Sequence, residues 1–271
     1  MDRRTTPANS RAALDSLRGR VDAPRYVTGE AMQVAVPLAD LLDAPDGARQ
    51  RQVLLGDGFR VIDRDRGFAF GQSLKDGYCG YLPEVALETF ASPTHWVAAP
   101  ATHLYPEPRV QAPEIAMLTF GARVAVTSDA GNFTETTKGF IPSSHLRALD
   151  DTFTDPVTVA MQFLGTPYLW GGNSRAGIDC SGLAQASLLA CGIACPGDSD
   201  LQQSVGRAVG HDDLQRGDLI FWKGHVALIA NAQQMIHATG FVMATILENT
   251  EAAIARILAR NGGPVTARRR P

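Results

Sequence analysis

Cysteine is scarce in this chain, and the four present are scattered: Cys79, Cys180, Cys191 and Cys195. Such usage excludes the dense disulfide framework of a small secreted scaffold. Cys191 and Cys195 could suggest half of a metal site, but no second Cys/His pair with ligand spacing accompanies them. They are expected as small core residues, and no metal or cofactor is expected. Long apolar runs are missing too. No stretch reaches the roughly 18 apolar residues of a membrane span. The N-terminus, Met1 to Ser10, carries positive charge with no apolar segment behind it. Neither signal peptide nor anchor is therefore expected, and the expected address is cytoplasmic. An excess of one charge is also lacking: 25 Lys and Arg stand against 28 Asp and Glu, a net charge of −3. That balance gives no reason to expect a nucleic acid partner. The one locally basic stretch, Ala267-Arg268-Arg269-Arg270-Pro271, reads as a solvated end.

What remains is an ordinary globular composition, 45% apolar and 20% charged over 271 residues. It suffices for one large domain or two to three small ones. The informative stretch runs from Gly165 to Leu183. Gly165-Thr166-Pro167-Tyr168-Leu169-Trp170-Gly171-Gly172 is turn-prone, and Ile178-Asp179-Cys180-Ser181-Gly182-Leu183 leads into a helix-like run that stops at Gly192. Cys180 is thus expected at a helix N-terminus, where unpaired N–H groups and the positive end of the dipole favour thiolate. A nucleophilic thiol needs a base. His225, in Gly-His-Val-Ala-Leu-Ile, and His237, in Met-Ile-His-Ala, fall in runs that read as neighbouring strands. A helix presenting a thiol to strands presenting histidines is an arrangement suited to nucleophilic acyl transfer.

The order Tyr168, Asp179-Cys180-Ser181, His225, His237 resembles the NlpC family of papain-like cysteine peptidases, which cleave peptidoglycan stem peptides. The resemblance covers about Asp155 to the C-terminus. It implies Cys180 as nucleophile, His225 as general base and His237 as the polar group that orients His225. It further implies that Tyr168 donates to the oxyanion with the Cys180 N–H, and that Trp170, Asp179 and Ser181 line the substrate site. Asp179 reads equally as an N-cap, and Tyr168 as packing for the loop. Asp198-Ser199 resembles the segment that lines the far end of the cleft in the subgroup with N-terminal SH3-like domains. There a carboxylate pairs with a substrate α-amino group.

Upstream, residues 1–24 are polar and Arg-rich around the amphipathic segment Ala12 to Gly19, expected as a mobile leader or a short helix packed on a later domain. From Tyr26 to Leu87, short strand-like runs alternate with turns at Pro45-Asp46-Gly47, Gly56-Asp57-Gly58 and Asp76-Gly77, the pattern of a small β-barrel. The plan then repeats after about 60 residues. Leu41, Gly56, Gly80-Tyr81-Leu82-Pro83 and Leu87 correspond to Leu104, Gly121, Gly139-Phe140-Ile141-Pro142 and Leu146. Both copies resemble bacterial SH3-like domains. In the subgroup the first barrel closes the cleft with a tyrosine, matched here by Tyr78, and an acidic residue. The stretch where that acid is sought reads Ala48-Arg49-Gln50-Arg51-Gln52, which leaves Asp43 and Asp57 as candidates. A third helix-like segment, Val157 to Leu164, follows Thr154 or Asp155 as a cap and Pro156 at the first position.

The expected architecture is therefore multidomain: a leader (1–24), two small all-β SH3-like barrels (25–90 and 91–150) and an α+β papain-like cysteine peptidase domain (151–271). The resemblance implies hydrolysis of the γ-D-glutamyl–diamino-acid bond in free murein peptides with an N-terminal L-Ala, in peptide recycling, by a monomer. Two other readings stay open. One is a wall-binding protein with a vestigial catalytic domain, against which the intact Cys180, His225 and His237 stand. The other is a thiol-dependent amidase or acyltransferase acting on another small amide.

Overall fold

The computed structural model describes residues 1–271, with the side chains of all but Asp129 and Ala130. The chain forms two units, Met1–Asp150 and Asp151–Pro271.

The first unit begins with a seven-stranded sheet. Its order is Arg49–Leu54, Leu38–Leu42, Cys79–Pro83, Phe68–Ser73, Gly58–Asp65, Glu30–Val34, Leu87–Thr89, every pair antiparallel. Alternation places Phe59 and Val61 in a core with Val34, Leu41, Val53, Leu82 and Tyr78. A register shift between Val61 and Asp63 breaks the alternation, as bulges do. Ile62, one residue on from Val61, faces the other way and joins a separate cluster on Phe70 and Cys79.

That second cluster is capped by the leader, which is neither mobile nor a helix on a later domain. Ala13–Leu14 pairs in parallel with Tyr26–Val27, and Ala12 and Leu14 are buried against Ile62. The carbonyl of Arg4 accepts from the Cys79 N–H at 2.7 Å. Arg11, Arg25 and the Asn9 amide converge on the buried carboxylate of Asp63. The amphipathic pattern of residues 12–19 was thus satisfied by a two-residue strand and one 3₁₀ turn, Asp15–Leu17.

Residues 95–148 form three small antiparallel sheets over a core of Val97, Leu104, Leu118, Val124 and Ile141, to which Leu54 and Leu55 of the first sheet contribute. Gly56 sits at the junction with φ +76°, and a side chain there would strike the Arg123 carbonyl. One succession recurs in both halves of the unit: a strand ending in Pro (Cys79–Pro83, Gly139–Pro142), a 3₁₀ turn (Glu84–Ala86, Ser143–His145) and a short strand (Leu87–Thr89, Leu146–Ala148).

The second unit opens with helix α1, Pro156–Met161, shorter than its apolar run. Asp155 caps it, accepting from the Val157 and Thr158 N–H groups. Helix α2, Cys180–Leu189, is buried on almost every side, as an all-round apolar helix must be. A four-residue helix α3, Ser199–Gln202, follows, and helix α4, Thr250–Ala259, comes near the end. The sheet is six-stranded and antiparallel throughout, in the order Arg207–Ala208, Ala267–Arg270, Leu219–Trp222, His225–Ile229, Gln234–Thr239, Ala244–Asn249. The basic tail is therefore an inner strand rather than a solvated end. Its backbone pairs on both sides, and Arg270 forms two 2.8 Å bonds to the carboxylate of Asp218, which is buried. No helix among the described residues is long and apolar enough to cross a membrane.

Asp155 also binds the Arg216 guanidinium, so one carboxylate starts α1 and ties it to a loop of the sheet. Asp155→Ala is expected to lower unfolding free energy by about 1–2 kcal/mol, measured by urea denaturation. An unchanged midpoint would show that the cap contributes nothing.

Candidate active site

The glycine-rich loop is held to the start of α2 by one carboxylate. Asp179 accepts from the Gly182 N–H (2.6 Å) and the Ser181 hydroxyl (3.0 Å) through one oxygen, and from the Gly171 N–H (2.8 Å) through the other. This is the N-cap reading of Asp179, extended to the loop. Ser181 is buried and spends its hydroxyl on Asp179. Tyr168, half-buried, stands in that loop beside Ile178. Burial, then the nearby Cys180 and Asp179, push its phenol above the ordinary range. Trp170 is 70% exposed.

Cys180 is the first residue of α2 and 6% exposed. Its Sγ lies 3.9 Å from the carbonyl oxygen of Gly224 and also faces the Val226 N–H. The sulfur therefore rests against the backbone on both sides of His225. That histidine follows a two-residue turn, Lys223-Gly224, in which Gly224 has φ +74°. Burial, with the Asp179 charge, pushes the thiol up to about 12, against N–H groups of Val226, Ser181 and Cys180 that favour thiolate. Burial and the helix terminus thus pull the thiol in opposite directions, burial raising it and the N–H groups lowering it.

His225 Nε2 and His237 Nδ1 are 2.8 Å apart, and His237 Nε2 is 3.1 Å from Glu248 Oε2. Arg256 of α4 grips Glu248 through Nε (2.8 Å) and Nη2 (2.6 Å). Strand register explains the alignment. Ile229 pairs with Met235, Met235 with Glu248 and His237 with Ile246, so all these side chains share the sheet face that α4 covers with Ala253 and Ile254. Burial, then His237 and Arg256, pull His225 down to about 3. Burial likewise pulls His237 down to about 4 despite Glu248. Both rings are neutral at pH 7. Moving the thiol proton to His225 leaves the site's net charge unchanged, so burial opposes that transfer less than it opposes either ionisation alone.

Asp198 heads α3, and Ser199 is buried. The Gln202 amide ties this segment to α2 by donating to the carbonyls of Ser181 (2.9 Å) and Pro196 (3.0 Å). Tyr78, in the first unit, is a core residue whose ring lies 5.5 Å from the Arg51 guanidinium. With Asp43 it lines a pocket of about 160 Å³. Asp57 is buried and engaged by Lys75 at 2.6 Å, which leaves Asp43 as the acidic candidate beside Tyr78. Glu248, Arg256 and Gln202 escaped the sequence reading. The alternation that set His237 on one strand could have pointed to Glu248 on the next.

Residues 165–254 match the NlpC/P60 family, and residues 41–87 match the bacterial dipeptidyl-peptidase Sh3 domain. A gamma-D-glutamyl-L-lysine dipeptidyl-peptidase of Bacillus cereus is 30% identical over 226 residues, 70% of this chain and 67% of that protein. The chain belongs to the NlpC/P60 family. It is accordingly a cysteine peptidase, multidomain, with an SH3-like domain ahead of a papain-like one. A second relative, the gamma-D-glutamyl-L-lysine dipeptidyl-peptidase of Bacillus subtilis, is 29% identical over 264 residues, 80% of this chain and 84% of that one. The crystal structure of an NlpC/P60 family protein from Bacillus cereus superposes with a TM-score of 0.76 at 24% identity, covering 89% of this chain and 99% of that one. That likeness speaks to the fold.

In this NlpC/P60 site the folded state disfavours protonation of two histidines that ionise near pH 6.5 when unfolded. Below that pH the unfolded chain binds the extra protons, so stability is lost as pH falls from about 6.5 towards 4 and 3. The slope should approach about 1.4 kcal/mol per pH unit for each proton taken up. Calorimetry from pH 7.5 to 4 should show it, with a shallower fall in His237→Gln; identical slopes would contradict the assignment.

Proposed function

We propose that the chain hydrolyses the γ-D-glutamyl–diamino-acid bond of free murein peptides, L-Ala-γ-D-Glu followed by meso-diaminopimelate or L-Lys, in cytoplasmic peptide recycling. The observation that carries the chemistry is Cys180 at the capped start of α2, against the backbone that flanks His225. The names of the two Bacillus relatives support the γ-D-glutamyl specificity. Cys180 Sγ attacks the γ-carbonyl of D-Glu as its proton passes to His225. The oxyanion is met by the Cys180 N–H and the Tyr168 hydroxyl, a donor that its raised pKa keeps protonated. Collapse breaks the C–N bond, and His225 returns the proton to the departing amine. Water, deprotonated by His225, then releases the dipeptide and restores the thiol.

The proposed domains are a leader over 1–24, SH3-like barrels over 25–90 and 91–150, and the peptidase over 151–271. The recurring strand–turn–strand succession supports the second barrel. Asp198, held to Ser181 through Gln202, is assigned to the substrate's free α-amino group. A desolvated ammonium needs a paired carboxylate, because either charge alone costs several kcal/mol.

The test is kcat/KM on L-Ala-γ-D-Glu-L-Lys or its diaminopimelate counterpart beside the N-acetylated peptides. Cys180→Ala should abolish turnover, and His225→Ala should lose about 3–5 kcal/mol of transition-state stabilisation. Acetylation should slow cleavage by orders of magnitude, and Asp198→Asn should remove most of that difference. Equal cleavage of free and acetylated peptides would defeat the amine assignment; turnover by Cys180→Ala would defeat the whole mechanism.

A further inference from the structure

We propose that Glu248, clamped by Arg256, is a positioning residue that fixes the tautomer of both histidines and so aims the base at Cys180. This rests on the Cys180–His225–His237 reading of the site. Glu248 reaches neither the sulfur nor the loop that carries Tyr168 in any bond of the structure; it acts through His237.

The logic is that of donors and acceptors in sequence. Two 2.6–2.8 Å bonds from Arg256 hold Glu248 below the usual carboxylate range, so it is ionised and can only accept. His237 Nε2, 3.1 Å away, must therefore carry the hydrogen. A neutral ring then leaves Nδ1 of His237 as a lone pair, and His225 Nε2, at 2.8 Å, must be the donor to it. His225 is neutral in its turn, so its Nδ1 holds the lone pair that remains to take the thiol proton. One carboxylate thus sets the protonation of four ring nitrogens.

Arg256 supplies the counterweight. A carboxylate alone beside the buried His237 would draw a second proton onto that ring. His237 would then donate from Nδ1, and His225 Nε2 would have to accept. The His225 hydrogen would move to Nδ1, the position the base must keep vacant. The positive charge of Arg256 opposes this, lowering both histidines while Glu248 raises them. The charged and titratable groups bearing on the pair are therefore Glu248 on the sheet and Arg256 on α4. Cys180, at the head of α2, faces the backbone on either side of His225.

Arg256 also stacks on Phe241 at 4.2 Å, and Arg260 does so at 4.5 Å. Phe241 belongs to the turn whose Met243 carbonyl accepts from the Tyr168 N–H. Arg260→Ala removes a stacking contact and leaves Glu248 paired, so it separates the two duties of Arg256.

The experiment compares Glu248→Gln, Arg256→Met and Arg260→Ala in the full chain. It reads kcat and KM against pH on L-Ala-γ-D-Glu-L-Lys, thermal melting, and ¹⁵N NMR of histidine-labelled protein. A glutamine can donate to His237 Nε2 and reverse the chain. Glu248→Gln should therefore lower kcat by about tenfold or more, with KM and melting nearly unchanged and the His237 Nε2–H signature lost. Arg256→Met should raise the acid limb of the kcat/KM profile by about half a pH unit or more, and Arg260→Ala should leave that limb in place. The proposal is overturned if Glu248→Gln keeps wild-type kcat and the wild-type tautomer, or if Arg256→Met leaves the acid limb unmoved. If Glu248→Gln unfolds, Arg256→Met and the wild-type ¹⁵N spectrum still decide. Cys180→Ala and His237→Gln run alongside. Inactive Cys180→Ala with unaffected Glu248→Gln refutes this inference alone, whereas active Cys180→Ala refutes the underlying mechanism.

Discussion

The carboxylate of Asp179 is the constraint on which the catalytic unit turns. It accepts three hydrogen bonds, two from the first turn of α2 and one from the loop at Gly171. The helix start and the loop are separate pieces of chain, and each carries a residue of the proposed machinery: Cys180 on one, Tyr168 on the other. The loop contributes only two-residue strands, Asn173–Ser174 and Gly177–Ile178. Holding both with a single buried carboxylate fixes the proposed nucleophile and the proposed oxyanion donor relative to each other. It also sets a negative charge near the thiol, which raises the cost of thiolate.

On the opposite side of the sulfur the sheet does similar work by other means. Alternation places His225, His237 and Glu248 on one face, and α4 closes that face with Arg256. The polar row is buried at His237, part-buried elsewhere, and paired at every link, so its members hold one another in a single arrangement. Its end at Arg256 is also where α4 meets the Phe241 turn.

What could be read from the chain was what repeats or carries its own punctuation. Cys180 announced itself through glycines before and a helical run after, and Pro156 behind Asp155 marked a helix start that the structure keeps. The matching Gly-aromatic-aliphatic-Pro endings pointed to a repeat, and both copies lead into a 3₁₀ turn and a short strand. What escaped was set by distant partners. Glu248 and Arg256 look like any solvated pair until the strands are registered and α4 is laid across them. Arg268-Arg269-Arg270 look like a solvated tail because their charge says nothing of the backbone. As a strand they lean on two neighbours, and Arg270 meets an Asp218 that is distant in sequence. The leader misled for the same reason: its apolar residues are matched to Ile62, on the sheet face away from the barrel core.

The inner position of Ala267–Arg270 bears on how the catalytic unit is born. Until those residues have left the ribosome, the strand Leu-Ile-Phe-Trp at 219–222 has a partner on one side only. Every one of its four side chains is buried in the finished sheet. A nascent or clipped chain that stops short of residue 266 would therefore present an apolar strand with open hydrogen-bonding groups, the template on which other chains add. Completion of this sheet waits on a strand distant in sequence, so the unit gains its protection against self-association only once that strand is in place.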